Sequence, residues 1–202
     1  MGTGAIDRRS PGLVLVVSGP SGSGKSTLVT QLLELREFPL GFSVSSTSRA
    51  PRAGEIPGQH YRFLSRDTFL AMQAKGEFLE SAEVHGHLYG TPREPVEQAV
   101  RTGQWVLLEI DVQGHRQVKK WMPEAISFFI RAASLDDYAR RLRARGTESE
   151  EDIARRLESV RRELECATEY DYQILNEDVT QAVRTWRTLL IGIDTARGRM
   201  NV

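Results

Sequence analysis

Short apolar runs recur along the chain with helix-like stretches between them. The runs lie at residues 13–17, 106–111, 126–130 and 172–175. Runs of this length, rich in leucine and β-branched residues, are typical of strands buried on both faces of a parallel sheet. Helices between successive strands are the pattern of α/β proteins. The sequence therefore predicts an α/β fold built on a parallel sheet.

Helical spacing of apolar residues flanks this pattern at both ends. A helix is predicted from Ser26 onward, directly after the first run, because leucines recur there at helical intervals. A second apolar stripe near the C-terminus predicts a helix that closes the core. Its members are Ala182, Val183, Trp186, Leu189, Leu190 and Ile193.

Two segments interrupt the alternation. Residues 43–91 are largely polar and contain short strand-like pieces at 61–64 and 87–90, which predicts a small mixed insertion. Residues 136–165 are densely charged and helical, with Gly146-Thr147 as the candidate turn of a helical hairpin. Thr147 or Ser149 is the predicted cap of the second helix.

Composition and charge narrow the class of protein. The chain has 202 residues, of which 40% are hydrophobic and 27% charged, so it is globular rather than disordered. Its 27 Lys and Arg residues balance 27 Asp and Glu residues, which argues against a surface made for nucleic acid or an anionic membrane. The single cysteine, Cys166, permits neither an intramolecular disulfide nor a cysteine metal site, and a cytoplasmic setting is expected. Residues 1–11 lack the apolar region of a signal peptide and are expected to form a flexible tail.

A phosphate-binding loop follows the first apolar run. Residues 19–26 match G-x-x-x-x-G-K-[ST], between a predicted strand and a predicted helix. Backbone N–H groups of such a loop form an anion nest, Lys25 pairs with the β- and γ-phosphates, and the Ser26 hydroxyl binds Mg²⁺. The alternative is a glycine turn with a solvated lysine. The predicted ATP-binding residues of the loop are Gly19, Ser21, Gly22, Ser23, Gly24, Lys25, Ser26 and Thr27.

Two carboxylates end the second apolar run. Glu109 and Asp111 lie two residues apart, so strand alternation places both side chains on one face. They are candidates to hold the water shell of Mg²⁺, with Asp111 acting on the ion through water. The alternative is that they cap the following helix.

Two arginines three residues apart suggest a monophosphate clamp. Arg49 and Arg52 flank Pro51, and two guanidinium forks can converge on one dianionic phosphate. Tyr61 and Tyr89 carry hydroxyls that could donate to the same phosphate. Surface ion pairs for the arginines and packed strand aromatics for the tyrosines are the alternatives.

With these motifs in place, the chain resembles the guanylate kinase family from residue 13 to about residue 193. The matching stretches lie at 18–27, 42–55, 58–63, 76–80, 84–92, 108–114, 145–150 and 170–172. The resemblance implies a three-layer P-loop core (12–42, 92–135 and 166–202), a GMP-binding insertion (43–91) and a helical lid (136–165). It also implies transfer of the ATP γ-phosphoryl group to GMP or dGMP, with Mg²⁺ as cofactor.

The resemblance assigns roles to individual residues. The positions that hold the GMP phosphate in the family are Arg49, Arg52, Tyr61 and Tyr89, and those that contact the base or lie beside it are Ser45, Glu80, Gly90 and Thr91. An ionised carboxylate accepts both donors of the guanine edge, whereas adenine would present a lone pair to it. The positions that meet the ATP phosphates from the lid are Arg141, Arg145 and Arg156, and Asn176 corresponds to the adenine side. Lys25, Arg49 and the three lid arginines are the predicted catalytic residues.

Two positions depart from the family pattern. Ala132-Ala133 stands where family members usually have two prolines before a serine, and Ser81 stands where a tryptophan commonly follows the base-reading glutamate. Neither position carries chemistry, so the departures concern lid hinging and the wall of the base pocket.

We therefore expect a guanylate kinase whose partners are the small molecules ATP and GMP, in a monomer or homo-oligomer. Two alternatives remain open: a kinase for another nucleoside monophosphate, and a non-catalytic guanylate-kinase-like module that binds phosphorylated peptides. ADP formation with GMP, AMP, CMP or UMP as acceptor separates the three.

Overall fold

The computed structural model describes residues 12–84, 86–144 and 149–198, and it alternates strands with helices. Its strands are β1 (Leu13–Ser18), β2 (Leu40–Phe42), β3 (Ser46–Thr47), β4 (Arg62–Phe63), β5 (Phe78–Val84), β6 (His87–Pro92), β7 (Trp105–Glu109), β8 (Ile126–Arg131) and β9 (Tyr172–Leu175). Its helices are α1 (Lys25–Glu34), α2 (Arg66–Ala74), α3 (Arg93–Arg101), α4 (Val112–Trp121), α5 (Leu135–Arg143), α6 (Glu150–Glu165) and α7 (Val179–Ala196). A 3₁₀ turn at Cys166–Glu169 follows α6.

Two sheets organise these strands. The five-stranded sheet has the order β2-β7-β1-β8-β9, and the β2/β7 and β8/β9 pairs are parallel. The four-stranded sheet has the order β4-β3-β6-β5 and is mixed: β3 pairs with β4 in parallel and with β6 antiparallel, and β5 and β6 are antiparallel neighbours. The predicted α/β fold with a parallel sheet is confirmed.

The described chain divides into two compact units. The first comprises Val17–Pro39 and the described part of Ser127–Val202, and the second comprises Gly12–Val16 and Leu40–Ile126. In the first unit, Tyr138 of α5 and Val160 of α6 are buried in one small apolar cluster. In the second unit, one cluster gathers apolar residues of β7, α3 and α4, and another packs Phe69 of α2 against Phe78 of β5.

Local sequence explains where most helices begin. Side-chain oxygens of serine or aspartate accept the backbone N–H three residues ahead and so satisfy one of the free donors of the first turn. Such caps begin α2, α4, α5, α6 and α7, and they are Ser65, Asp111, Ser134, Ser149 and Asp178. The predicted cap at Ser149 is confirmed, and its alternative, Thr147, lies outside the described residues together with Gly146.

Two expectations about strands need correction. The predicted run at 106–111 ends early as a strand: β7 stops at Glu109, because the Asp111 carboxylate turns to cap α4. Alternation therefore does not extend to Asp111. The mixed insertion also contains more sheet than its pattern indicated, since Phe78–Val84 forms a seven-residue strand. Within residues 12–84, 86–144 and 149–198, no helix has the length and apolar character needed to cross a bilayer.

Candidate active site

The glycine-rich loop connects β1 to α1 in the first unit. Gly24 sits at the start of α1 with φ 87°, a left-handed conformation that glycine adopts at no steric cost. A side chain there would also collide with Asn176, because an added Cβ would lie 2.3 Å from Nδ2 of that residue. The glycine thus permits both the turn and the close approach of Asn176. The left-handed glycine and the contact with Asn176 therefore define the turn that leads from the loop into α1.

Lys25 lies at the first position of α1 and folds back over its own loop. Its ammonium group donates to the carbonyl oxygens of Gly19 and, at 3.3 Å, of Pro20. A flexible cation held at the loop can exchange these carbonyls for phosphate oxygens. Ser26 and Thr27 follow in the exposed first turn of the helix.

Side chains from α5, α6 and the segment after β9 contact the loop. Arg141 of α5 donates to the carbonyl oxygens of Gly22 and Ser23 and, at 2.7 Å, to that of Asn176. Arg156 of α6 donates to the Ser21 hydroxyl at 3.2 Å. The structure thus brings two of the three predicted lid arginines to the phosphate loop. Arg145 lies outside the described residues.

Asn176 is almost fully buried, with 1% of its surface exposed. Its Nδ2 donates to the carbonyl oxygen of Ser23 at 2.7 Å, and its backbone N–H donates to that of Arg131 at 2.8 Å. The residue predicted on the adenine side therefore braces the phosphate loop from within the first unit.

The second unit presents a buried carboxylate on its four-stranded sheet. Glu80 of β5 is 5% exposed, and its Oε1 accepts a hydrogen bond from the Thr91 hydroxyl of β6 at 2.7 Å. The two residues are direct partners in the β5/β6 register, so their side chains share a face. Burial raises the pKa of Glu80 to about 7, the Thr91 hydroxyl acts in the opposite direction, and the nearby Asp111 carboxylate adds to the rise. The site therefore holds an acceptor that ionises near neutrality.

An arginine with aromatic neighbours lies beside the same sheet, two residues after β3. Nε of Arg49 donates to the Tyr89 hydroxyl at 3.2 Å, and its guanidinium group lies 5.4 Å from the centre of the Tyr61 ring. The rings of Tyr61 and Tyr89 meet edge to face at 5.9 Å. The pKa of Tyr61 is raised, first by burial and then by the carboxylate of Glu109. Three of the four predicted phosphate ligands thus form one cluster.

Glu55 is a partner of this cluster that the sequence reasoning missed. Its two oxygens accept from Nη1 and Nη2 of Arg49 at 3.0 and 2.9 Å, and Oε2 also accepts the backbone N–H of Arg52 at 2.7 Å. These hydrogen bonds, led by those from Arg49, lower the pKa of Glu55 to about 2. The side chain of Arg52 is exposed, and Glu55 meets this residue through the backbone. The spacing of three between Arg49, Arg52 and Glu55 was the signal that could have found it.

The remaining acceptor-side residues occupy supporting positions. The carbonyl oxygen of Ser45 accepts the backbone N–H of Arg62, which joins the start of β3 to β4. Gly90 is buried in β6 between Ser46 and Ser81, its register partners. Oδ1 of Asp111 accepts the N–H of Gly114 at 2.8 Å and caps α4, as the helix-cap alternative has it, while Glu109 ends β7.

Comparisons with known proteins agree on one family. The sequence model described as guanylate kinase matches residues 12–191. A guanylate kinase of Trichormus variabilis is 47% identical over 91% of this chain and 92% of its own, and one of a Synechococcus species is 50% identical over 83% and 88%. The crystal structure of a guanylate kinase from Anaplasma phagocytophilum is similar with a TM-score of 0.76 and 34% identity, covering 96% of this chain and 89% of that one. With a phosphate loop in one unit, a buried carboxylate and an arginine–tyrosine cluster in the other, and relatives this similar along nearly its whole length, the chain belongs to the guanylate kinase family and is a nucleotide-binding kinase.

Proposed function

We propose that the chain transfers the γ-phosphoryl group of ATP to the phosphate of GMP or dGMP, giving ADP and GDP or dGDP. The observation that carries this proposal is the four-stranded sheet of the second unit. Its strands β5 and β6 offer Glu80 with Thr91, and Arg49 and Tyr61 lie beside it, where Arg49 contacts Tyr61 and Tyr89 of β6. A carboxylate for a base edge and a cation for a phosphate are the two ends that a nucleoside monophosphate requires.

Guanine fits the carboxylate end by its hydrogen-bonding pattern. The N1–H and N2–H₂ donors of guanine can both bond an ionised Glu80, and this attraction favours the charged form of a carboxyl group whose pKa burial raises to about 7. Adenine would place an acceptor, N1, against the same oxygens. A buried polar group left unpaired in this way costs about 1–3 kcal/mol, more when it is charged.

The phosphate end fits a dianion. The guanidinium of Arg49 presents two parallel N–H groups, and the Glu55 carboxylate accepts both of them in a bidentate pair. A phosphate can take the same fork, with the Tyr89 and Tyr61 hydroxyls as further donors. Arg52, exposed next to this cluster, supplies the second cation.

The donor side binds ATP through the phosphate loop. Backbone N–H groups of the glycine-rich loop, in which Pro20 has none, and the positive end of α1 hold the phosphates, and Lys25, Arg141 and Arg156 neutralise charge on the transferring group. The bond between the γ-phosphorus and the ADP oxygen breaks as a GMP phosphate oxygen bonds to that phosphorus. This transfer needs positioning and charge neutralisation rather than a protein nucleophile.

Two of the side chains offer oxygen ligands of the kind that Mg²⁺ takes. Ser26 offers a hydroxyl oxygen in the first turn of α1, and Asp111 offers a carboxylate whose Oδ1 is already committed to the α4 cap. We propose that Ser26 binds the ion directly and that Asp111 acts through water. When bound, the ion would neutralise phosphate charge.

We also propose the division of labour implied by the sequence: residues 43–91 as the GMP-binding segment, 136–165 as the lid, and 12–42, 92–135 and 166–202 as the core. ATP and GMP are the proposed partners. The proposed setting is cytoplasmic, in keeping with the single cysteine.

The deciding experiment measures ADP formation from ATP with GMP, AMP, CMP and UMP as separate acceptors. GMP should be the preferred acceptor, with turnover within the roughly 1–100 s⁻¹ range usual for kinases. Preference for another monophosphate would identify a kinase of different base specificity. Absence of transfer to any of the four would contradict the proposal.

A further inference from the structure

Gln117 of α4 makes a two-point contact with the backbone of the strand that carries Glu80. Its Oε1 accepts the N–H of Ser81 at 3.1 Å, and its Nε2 donates to the carbonyl oxygen of Ser81 at 2.9 Å. Both peptide groups of one residue are therefore taken by one side-chain amide. The residue held in this way is the direct neighbour of Glu80.

The contact replaces a missing strand. β5 lies at the edge of the four-stranded sheet, with β6 on one side only. In antiparallel pairing, a residue directs both of its peptide groups either toward its partner strand or away from it. Those of Ser81 point to the open edge and meet the Gln117 amide, which has a donor and an acceptor like a peptide group. Gln117 thus ties β5 to α4 where the sheet provides no partner.

The same helix also touches the carboxyl group itself. Gly114 lies in the first turn of α4, and an added Cβ there would lie 2.6 Å from Oε2 of Glu80. The Thr91 hydroxyl contacts the other oxygen, Oε1. The carboxyl group is therefore held between β6 and the first turn of α4, and its distance from α4 is set by how closely α4 and β5 approach.

We propose that Gln117 is a positioning residue for guanine recognition: by clamping the Ser81 backbone to α4, it sets the place of the Glu80 carboxylate. This inference rests on the proposed function of Glu80. Reading N1–H and N2–H₂ together requires both carboxylate oxygens in place, whereas a base with a single donor on that edge tolerates displacement better. Gln117 therefore controls discrimination between bases that differ in the second donor.

Gln73 provides a matched control in the same neighbourhood. Like Gln117, it contacts Ser81, but its Nε2 donates to the side-chain Oγ, at 2.9 Å, and this hydrogen bond does not involve the backbone. Substituting either glutamine with methionine keeps length and helix propensity and removes only the hydrogen bonds. The comparison of Gln117→Met with Gln73→Met isolates the backbone clamp.

The test measures kcat/KM for GMP and for inosine monophosphate, which lacks the 2-amino group, together with KM for ATP and thermal stability. Misplacement of a binding group by about 1 Å can cost up to about a hundredfold, so we expect Gln117→Met to lose about tenfold in kcat/KM for GMP. The GMP-to-inosine-monophosphate ratio should narrow at least about threefold, a change near 0.7 kcal/mol. KM for ATP should stay constant, and Gln73→Met should match the wild type in selectivity.

Three comparisons decide the outcome. An unchanged GMP-to-inosine-monophosphate ratio in Gln117→Met, with or without lower stability, overturns the inference, as does an equal change in Gln73→Met. If Gln117→Met does not fold, Gln117→Glu gives a second comparison: it keeps the length and the acceptor for the Ser81 N–H, replaces the donor at the Ser81 carbonyl with an oxygen, and adds a negative charge. A wild type inactive on GMP, or a Glu80→Gln variant with unaltered selectivity, would overturn the proposed function instead.

Discussion

At the scale of single residues, the acceptor side depends on where charge is buried. Arg49 and Glu80 are 9% and 5% exposed, so each is largely removed from water and needs a partner. Arg49 has Glu55, whose pKa it holds at about 2, whereas the Glu80 carboxyl group accepts a hydrogen bond from a neutral hydroxyl, that of Thr91. The two groups therefore respond differently to substitution and to pH.

Arg49→Ala should weaken the binding of GMP much more than the binding of ATP. The substitution removes the guanidinium fork and the donor to the Tyr89 hydroxyl, and loss of a charge-assisted contact costs about 1.5–3 kcal/mol. KM for both substrates and kcat measure the effect. Arg62→Ala is the control, since Arg62 lies exposed on the neighbouring strand β4. A rise in KM for ATP with unchanged KM for GMP would show that the assignment of Arg49 is wrong.

Glu80 should make the folded protein less stable as pH rises from about 4.5 to about 7. Its pKa in the folded protein is about 7 against an ordinary 4.5, so the folded state binds the extra proton within that window. Stability falls with pH wherever the folded state binds more protons than the unfolded one. Glu80→Gln removes this term.

The measurement is the free energy of unfolding in urea at pH 5 and pH 8. The free energy of unfolding of Glu80→Gln minus that of the wild type should be larger at pH 8 than at pH 5, by up to about 3 kcal/mol. Glu83→Gln, on the same strand but half exposed beside Arg66, is the control for substitution of an exposed carboxylate. A pH-independent difference between Glu80→Gln and the wild type would mean that the carboxyl group of Glu80 titrates normally.

At the scale of elements, α4 is the helix on which the base end depends. It begins at the Asp111 cap, its first turn meets Glu80 at Gly114, and one turn later Gln117 clamps β5. The helix therefore connects the end of β7 to the edge of the four-stranded sheet. These three contacts lie within seven residues of the chain. We therefore expect small changes in the first turn of α4 to move the Glu80 carboxylate.

Gly114→Ala should lower kcat/KM for GMP without unfolding the protein. The new methyl group would meet the far end of a side chain, so the Glu80 carboxyl group moves rather than the backbone. We expect a loss of about tenfold or more for GMP and constant KM for ATP. Gly192→Ala in α7, where nothing lies within 4 Å of the added atom, is the matched helix control. It should be as active as the wild type and slightly more stable.

Equal behaviour of the two alanine variants in GMP kinetics would contradict this role of Gly114. A Gly114→Ala variant that lost affinity for ATP as well would point to a general disturbance of the fold.

At the scale of the whole molecule, each of the two substrates is expected to slow hydrogen exchange in a different unit. The predicted ATP residues that the structure describes all belong to the first unit, and the predicted GMP residues all belong to the second. A ligand that binds only the folded state stabilises it by about 2.7 kcal/mol at one hundred times its dissociation constant. Local opening is suppressed most where the ligand binds.

Hydrogen–deuterium exchange read by mass spectrometry tests this division. GMP alone should protect peptides from residues 45–63 and 78–92, and a non-hydrolysable ATP analogue alone should protect residues 19–30. CMP at equal concentration is the control for nonspecific effects. Protection of residues 19–30 by GMP alone, with no protection at 78–92, would contradict the assignment of the two sites.

Much of the fold and the donor site followed from local pattern. Continuous apolar runs predicted β1, β8 and β9, and the glycine spacing predicted the loop before α1, because buried parallel strands and anion-binding loops are written in consecutive residues. The strands β2, β3 and β5 were not predicted. β3 has only two residues and β2 three, too short for periodicity, and β5 mixes Glu80 and Glu83 into its apolar positions.

The sequence by itself determined the fold class, the phosphate loop, the family and the charge types available for a nucleotide. Only the tertiary structure decided how deeply these charges are buried and which groups from other elements meet them: Tyr89 on Arg49, Thr91 on Glu80, and Gln117 on the backbone beside Glu80. The physical reason is that a motif fixes neighbours along the chain, whereas desolvation and hydrogen bonding depend on residues brought together from distant positions. Ser81 and Gln117 are 36 residues apart, and no local pattern relates them.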